Sequence, residues 1–236
     1  MPERVAFVSV VVGTLGRVRT LLDLVLPREC GGCEAPGTLW CARCAAALSG
    51  EPFVVSPRID PGVPVFALGA HTGVARRAVI AAKERGRRDL AHQFGSAWAR
   101  AVSGLRVRGE IDPPELSRLL LVPAPTRGRA ARVRGGDPVC AAARAAAVAL
   151  LPEPVAVDPI LGFVGPVRDS VGLSAKERSR NLSGRIRVEP SRRLGGPRTV
   201  LLVDDVLTTG ATATESVRAL ARAGVRVDGV LVITAA

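Results

Sequence analysis

Residues 199–224 limit the fold more tightly than any other stretch of the chain. Thr199-Val200-Leu201-Leu202-Val203 is a short apolar run of the kind that forms a strand buried on both faces. It ends in Asp204-Asp205, and the loop Thr208-Thr209-Gly210-Ala211-Thr212 follows. A helix is predicted over 212–223, with Val217, Leu220 and Ala221 on its inner face and Gly224 to stop it. Thr212 with Glu215 fits a capping box at its start. Small residues at a helix N-terminus leave backbone N–H groups free at the positive end of the helix dipole, which suits a phosphate dianion. Gly210 permits close backbone approach, and the threonine hydroxyls add donors. The chain has neither a GxxxxGK[ST] loop nor a GxGxxG fingerprint. Two carboxylates directly before the loop are costly to bury alone and would accept bonds from sugar hydroxyls. The plainer alternative is a strand–turn–helix with exposed acids at its corner.

Strands and helices alternate through the rest of the chain. Strands are predicted over 64–70, 119–122, 155–157 and 227–233, and helices over 74–85, 90–102 and 138–151. The expected fold class is α/β, with a mostly parallel sheet flanked by helices and a small N-terminal module. The chain's 236 residues hold one large domain, or one domain with such a module. Ser49-Gly50-Glu51-Pro52 and Pro57, Pro61 and Pro64 break the pattern, so 51–62 reads as a linker between residues 1–50 and a main domain over 63–236.

Cys30-x-x-Cys33 and Cys41-x-x-Cys44 lie within fifteen residues, with Pro27, Gly31, Gly32, Pro36 and Gly37 supplying turns. Two such pairs have the spacing of a tetrahedral zinc site, structural because four thiolates leave no open position. Two disulfides or four free thiols are the alternatives. Disulfides need an oxidising compartment. The apolar run Val5–Val12 is short and leads to no small-residue cleavage pattern, so residues 5–26 read as a soluble helix and the expected location is cytoplasmic. No run of about 20 uncharged apolar residues could span a membrane. Cys140, in an alanine-rich helix, reads as a small core residue.

The net charge is +12, and among 33 basic residues only Lys83 and Lys176 are lysines. Abundant Ala and absent Tyr match a GC-rich codon bias, which raises Arg without functional demand. Arginine also grips phosphate bidentately.

At Val200–Thr212 the sequence resembles the type I phosphoribosyltransferases. The resemblance implies that Asp204 and Asp205 contact the ribose hydroxyls of phosphoribosyl pyrophosphate. It implies that Thr208, Thr209, Gly210, Ala211 and Thr212 hold its 5′-phosphate, with magnesium bridging ribose and pyrophosphate. Together with the four-cysteine module, the chain looks like the ComF family, linked to DNA uptake in competent bacteria. Val122-Pro123-Ala124-Pro125 with Arg127, Arg129, Arg132 and Arg134 resembles that family's pyrophosphate-loop segment. Gly172-Leu173-Ser174, Arg178 and Asn181 resemble its active-site lid segment, and Lys83 a lysine of its first helix. Arg134-Gly135-Gly136-Asp137-Pro138 departs from the usual RGFNQ, and Thr208 stands where some purine enzymes carry a third acid. The sequence supplies no obvious proton acceptor for a nucleobase. The expected function is binding of phosphoribosyl pyrophosphate or a nucleotide with magnesium, with phosphoribosyl transfer to an acceptor as the possible reaction. The competing expectation is a non-catalytic adaptor that contacts single-stranded DNA or proteins of the uptake machinery. Against it stands an aromatic content of 3%, since single-strand binders stack bases on aromatic rings. Trp40 is the best stacking candidate, though its place beside Cys41 also suits packing of the cysteine knuckle.

Overall fold

The run 199–203 becomes the middle of β7 (Arg198–Leu207), a central strand of a six-stranded sheet. The structure, a computed structural model, describes residues 28–126, 136–165, 182–190 and 198–236. The candidate residues Arg127, Arg129, Arg132, Arg134, Ser174, Arg178 and Asn181, and the helix expected over 5–26, lie outside the described residues.

The other strands of the sheet are β1 (Phe53–Val54), β2 (Val65–Ala70), β3 (Arg118–Pro123), β4 (Val155–Val157) and β8 (Gly229–Ala235). Their order is β1-β2-β8-β7-β3-β4. Only β1 runs antiparallel to its neighbour. Leu121 pairs with Leu201, and Leu202 with Val230. A separate antiparallel pair joins β5 (Leu161–Phe163) to β6 (Ile186–Val188).

Both faces of the sheet are covered, which explains why the strands read as continuous apolar runs. On one face lie α2 (Gly73–Glu84), α3 (Leu90–Val107) and α4 (Pro138–Ala149). Leu121, Leu201, Val203 and Leu231 meet Trp98, Leu105 and Ala146 there. On the other face lie α5 (Ala211–Arg222) and the β5–β6 pair, where Leu120, Val122, Leu202 and Val232 meet Leu220 and Ile186. Successive strand residues alternate between the two clusters, as the period of two requires.

Two elements differ from expectation for tertiary reasons. Strand β7 runs past the acid pair to Leu207 because β8 continues beside it and pairs Leu207 with Ala235. The 51–62 stretch contains β1, which pairs with β2, and the N–H of Val55 donates to the carbonyl of Val65 at 2.9 Å. Helix α4 starts where Pro138 and Asp137 suggest. The Asp137 carboxylate accepts the N–H groups of Val139 (2.9 Å) and Cys140 (3.1 Å) as an N-cap.

Helices α3 and α4 approach so closely that Gly95 has no room for a side chain. A Cβ there would lie 2.5 Å from Cβ of Ala145 and 2.7 Å from the carbonyl oxygen of Ala142. The contact atoms are helix backbone and a methyl that cannot rotate away. Gly95→Ala is therefore expected to destabilise the protein by about 1–3 kcal/mol despite the better helix propensity of alanine. Urea unfolding measures this, and an unchanged or higher midpoint would contradict it.

Candidate functional site

The acid pair lies in the C-terminal part of β7, just before its last two residues. The Asp205 side chain is buried, and Nζ of Lys83 near the end of α2 meets its Oδ1 at 2.7 Å. Asp204 is half-buried, and its Oδ1 accepts the N–H of Asp205 at 2.8 Å. Burial and the adjacent Asp205 carboxylate push the Asp204 carboxyl up to about 8, against the opposing pull of Lys83.

Beyond Leu207 the chain turns through Thr208, Thr209 and Gly210 into α5. Asp204, Thr208, Gly210, Ala211 and Thr212 line one crevice of about 20 Å³, roughly the room of one water. Thr208 is exposed, while Thr209 and Thr212 are half-buried. Oγ1 of Thr209 accepts the N–H of Ala211 at 3.4 Å.

The expected capping box does not form. Helix α5 begins at Ala211 with Gly210 as its N-cap, so Thr212 already lies inside the first turn. Glu215 is buried, and its Oε1 accepts the N–H of Gly184 at 2.9 Å and a guanidinium N–H of Arg222 at 3.1 Å. The acid that suits a cap thus ties α5 to the chain just before β6.

Gly210 takes φ 87°, a left-handed conformation that favours glycine. A Cβ there would fall 2.2 Å from the carbonyl oxygen of Ile59. The close approach that the sequence assigns to a ligand is, on this side of the loop, made by the chain itself. The N–H of Ile59 donates to the carbonyl of Thr209 at 2.9 Å, and the Thr214 hydroxyl donates to the carbonyl of Ile59 at 3.1 Å. Residues 57–60 therefore brace the loop from outside. Nothing local in their sequence signals this role.

His71, in the turn between β2 and α2, also escaped the sequence reading. Its Nδ1 lies 2.8 Å from Oγ1 of Thr234 on β8, and the Thr234 hydroxyl reaches the backbone carbonyl of Asp205 at 3.4 Å.

The four cysteines form a second cluster. Sγ of Cys30 and Cys44 are 3.5 Å apart and those of Cys33 and Cys41 are 3.6 Å apart. All four sulfurs lie within 4.8 Å of one another. Four thiolates at ~2.3 Å around a tetrahedral centre stand ~3.8 Å apart, so the set could hold a metal ion such as zinc. The separations are far beyond the ~2.05 Å of a disulfide, and all four cysteines are free.

Local backbone builds the cluster. The Glu34 N–H donates to the Cys30 carbonyl at 2.8 Å, closing the first knuckle, and the Cys41 N–H reaches Sγ of Cys30 at 3.4 Å. Cys41 then caps α1 (Ala42–Ala47), which carries Cys44. Hydrogen bonds to Cys30 from the backbone of Gly32, Cys41 and Cys33 outweigh its burial and draw its thiol down to about 6.

The module sits on the main fold. Nε of Arg77 donates to the Gly32 carbonyl at 2.6 Å, and Arg87 donates to the carbonyls of Glu29 (2.9 Å) and Leu39 (3.2 Å). Trp40 packs against the core cluster on the α2–α4 side. Some of the arginine excess is thus structural.

Compared with known proteins, the chain matches no family model and no curated protein. Among the described residues, no helix is long and apolar enough to cross a membrane.

Two outcomes are expected. Protein purified under reducing conditions carries one zinc per chain by elemental analysis. Cys30→Ser or Cys44→Ser removes it and lowers the melting temperature, while Cys140→Ser keeps it. Metal content unchanged in the first two variants would count against the cluster.

The second concerns Asp204. Its native pKa lies above the ordinary 3.8, so the native state holds a proton that the unfolded chain releases from about pH 4. Stability from that carboxyl is full below about pH 4 and is lost as pH rises to about 8. The neutral Asp204→Asn should raise the melting temperature over wild type by an amount that grows between pH 4 and pH 8 and then levels off. Calorimetry across that range tests it, and a gain that shrinks with pH would refute it.

Proposed function

We propose that the chain is a ComF-type phosphoribosyltransferase-domain protein that binds phosphoribosyl pyrophosphate, or a nucleotide, at the end of β7. One observation carries the reading. Asp204 shares a crevice with Thr208, Gly210, Ala211 and Thr212 at the start of α5, directly beside the Lys83–Asp205 pair. A carboxyl group whose oxygens can accept hydrogen bonds from sugar hydroxyls thus adjoins a helix N-terminus, the end of a helix that favours anions. This arrangement suits a sugar phosphate better than it suits either half alone. The raised pKa of Asp204 is the kind of perturbation that a binding site retains at a cost in stability.

In this reading the loop holds the 5′-phosphate and the acid pair orients the ribose. Lys83 offsets the negative charge of Asp205. The carboxylate oxygens of Asp204 and Asp205 are donors of the type magnesium prefers. A magnesium ion held there with the pyrophosphate would supply charge neutralisation for the leaving group. Zinc at Cys30, Cys33, Cys41 and Cys44 is structural, since a full set of thiolates leaves no position for substrate.

Calorimetric titration with phosphoribosyl pyrophosphate and magnesium tests the proposal. The wild type should bind, and Asp204→Asn/Asp205→Asn should lose at least tenfold in affinity. No binding by a folded, zinc-loaded wild type would refute it and favour the adaptor that contacts single-stranded DNA. That adaptor would show itself as DNA binding that weakens steeply with salt.

A further inference from the structure

A second cavity lies where three helices converge, at the end of α2 and the starts of α3 and α4. It holds about 180 Å³ and shares no lining residue with the crevice at the end of β7. Ala82 of α2, Ala91 and Phe94 of α3, and Pro138 and Ala141 of α4 give it an apolar lining. The i, i+3 spacing of Ala91 with Phe94, and of Pro138 with Ala141, sets each pair on one face of its helix. Alanine at three of the five positions leaves the space open.

Arg87, Arg88 and Arg144 also line the cavity, and they are not equivalent. Arg87 is spent on the fold. It donates to both carboxylate oxygens of Asp89 (2.8 and 2.7 Å) and to the carbonyls of Glu29 and Leu39. Arg88 and Arg144 are exposed, and among the described residues their guanidiniums make no hydrogen bond or ion pair. Arg144 continues the α4 row of Pro138 and Ala141, and long side chains on a helix lean toward its N-terminus. The one acid in the lining, Asp137, is already engaged, its Oδ1 accepting the N–H groups of Val139 and Cys140. The cavity therefore combines two uncommitted cations with an apolar surface.

Those two features select the ligand. An apolar cavity of about 150 Å³ holds benzene, so the room here suits one flat ring with an acid group. A bare anion would leave the apolar lining unused. A neutral ring would leave both guanidiniums unused, and a cation would be repelled by them. The planar guanidinium fork matches carboxylate and phosphate alike. We propose that this cavity is a binding site for a small aromatic acid, its ring against Phe94, Ala91 and Ala141 and its carboxylate or phosphate on Arg88 and Arg144. The inference is independent of the phosphoribosyl reading and stands or falls without it.

Benzoate and phenyl phosphate serve as probes, followed on the full chain by calorimetry and by amide shifts in ¹H–¹⁵N spectra. At least one of the two is expected to bind saturably, with the largest shifts in residues 86–94 and 136–144. Which of them binds more tightly tells a carboxylate site from a phosphate site. Benzamide, which keeps the ring and lacks the charge, should bind at least tenfold more weakly than the tighter acid. Arg88→Gln/Arg144→Gln should lower the acid's affinity at least tenfold. Ala141→Leu narrows the cavity without touching an arginine and should lower it at least fivefold. Saturable binding of neither acid, benzamide binding as tightly as the acid, or shifts confined to residues 204–212 would overturn the proposal. So would an affinity unchanged in either variant.

Discussion

The parallel pairing of β7 between β3 and β8 is the constraint from which the rest of the fold follows. A central parallel strand has no solvent-facing side, so helices must cover both faces and every residue up to Val203 must be apolar or paired. The pairing with β8 then runs two strand residues past the acid pair. Asp205 is held in the sheet, and a buried carboxylate needs a partner. Lys83 meets that need, and in doing so it pins the end of α2 to the edge of the sheet where the loop and α5 begin.

The same edge gathers groups from four separate parts of the chain. Strand β7 supplies the acids, α5 its N-terminus, the β2–α2 turn His71, and the 57–60 segment its backbone support for Gly210. Strand β8 links two of these through Thr234, whose hydroxyl lies between His71 and the Asp205 carbonyl. Polar groups that would be costly to bury singly become acceptable as a connected set. The loop is accordingly stiffened from behind by the 57–60 segment.

The cysteine cluster is a different solution to a different shortage. Residues 28–50 contribute few buried apolar side chains, with Leu48 the clearest. Four thiols and three contacts from Arg77 and Arg87 hold this segment in place of a core. Those arginines donate to backbone carbonyls of the knuckle, which ties the module's position to α2 and to the turn that follows it. Arg106 likewise serves the fold, pairing bidentately with Glu153 where both side chains are about nine-tenths buried.

The sequence by itself determined the elements whose signals are local. Apolar runs bounded by Pro and Gly set β2, β3 and β7, the Asp137-Pro138 pair set the start of α4, and CxxC spacing brought four sulfurs together. Local signals suffice there because each depends on neighbours within a few residues. Tertiary structure alone decided the rest. Glu215 had the spacing of a cap, yet burial against the chain before β6 claimed it. Residues 51–62 had the composition of a linker, yet an open strand edge and the back of the loop gave their backbone partners. His71 carried no motif, and its ring meets a hydroxyl 163 residues away. Contacts of that range are set by which strands lie side by side, and no spacing within one segment encodes that order.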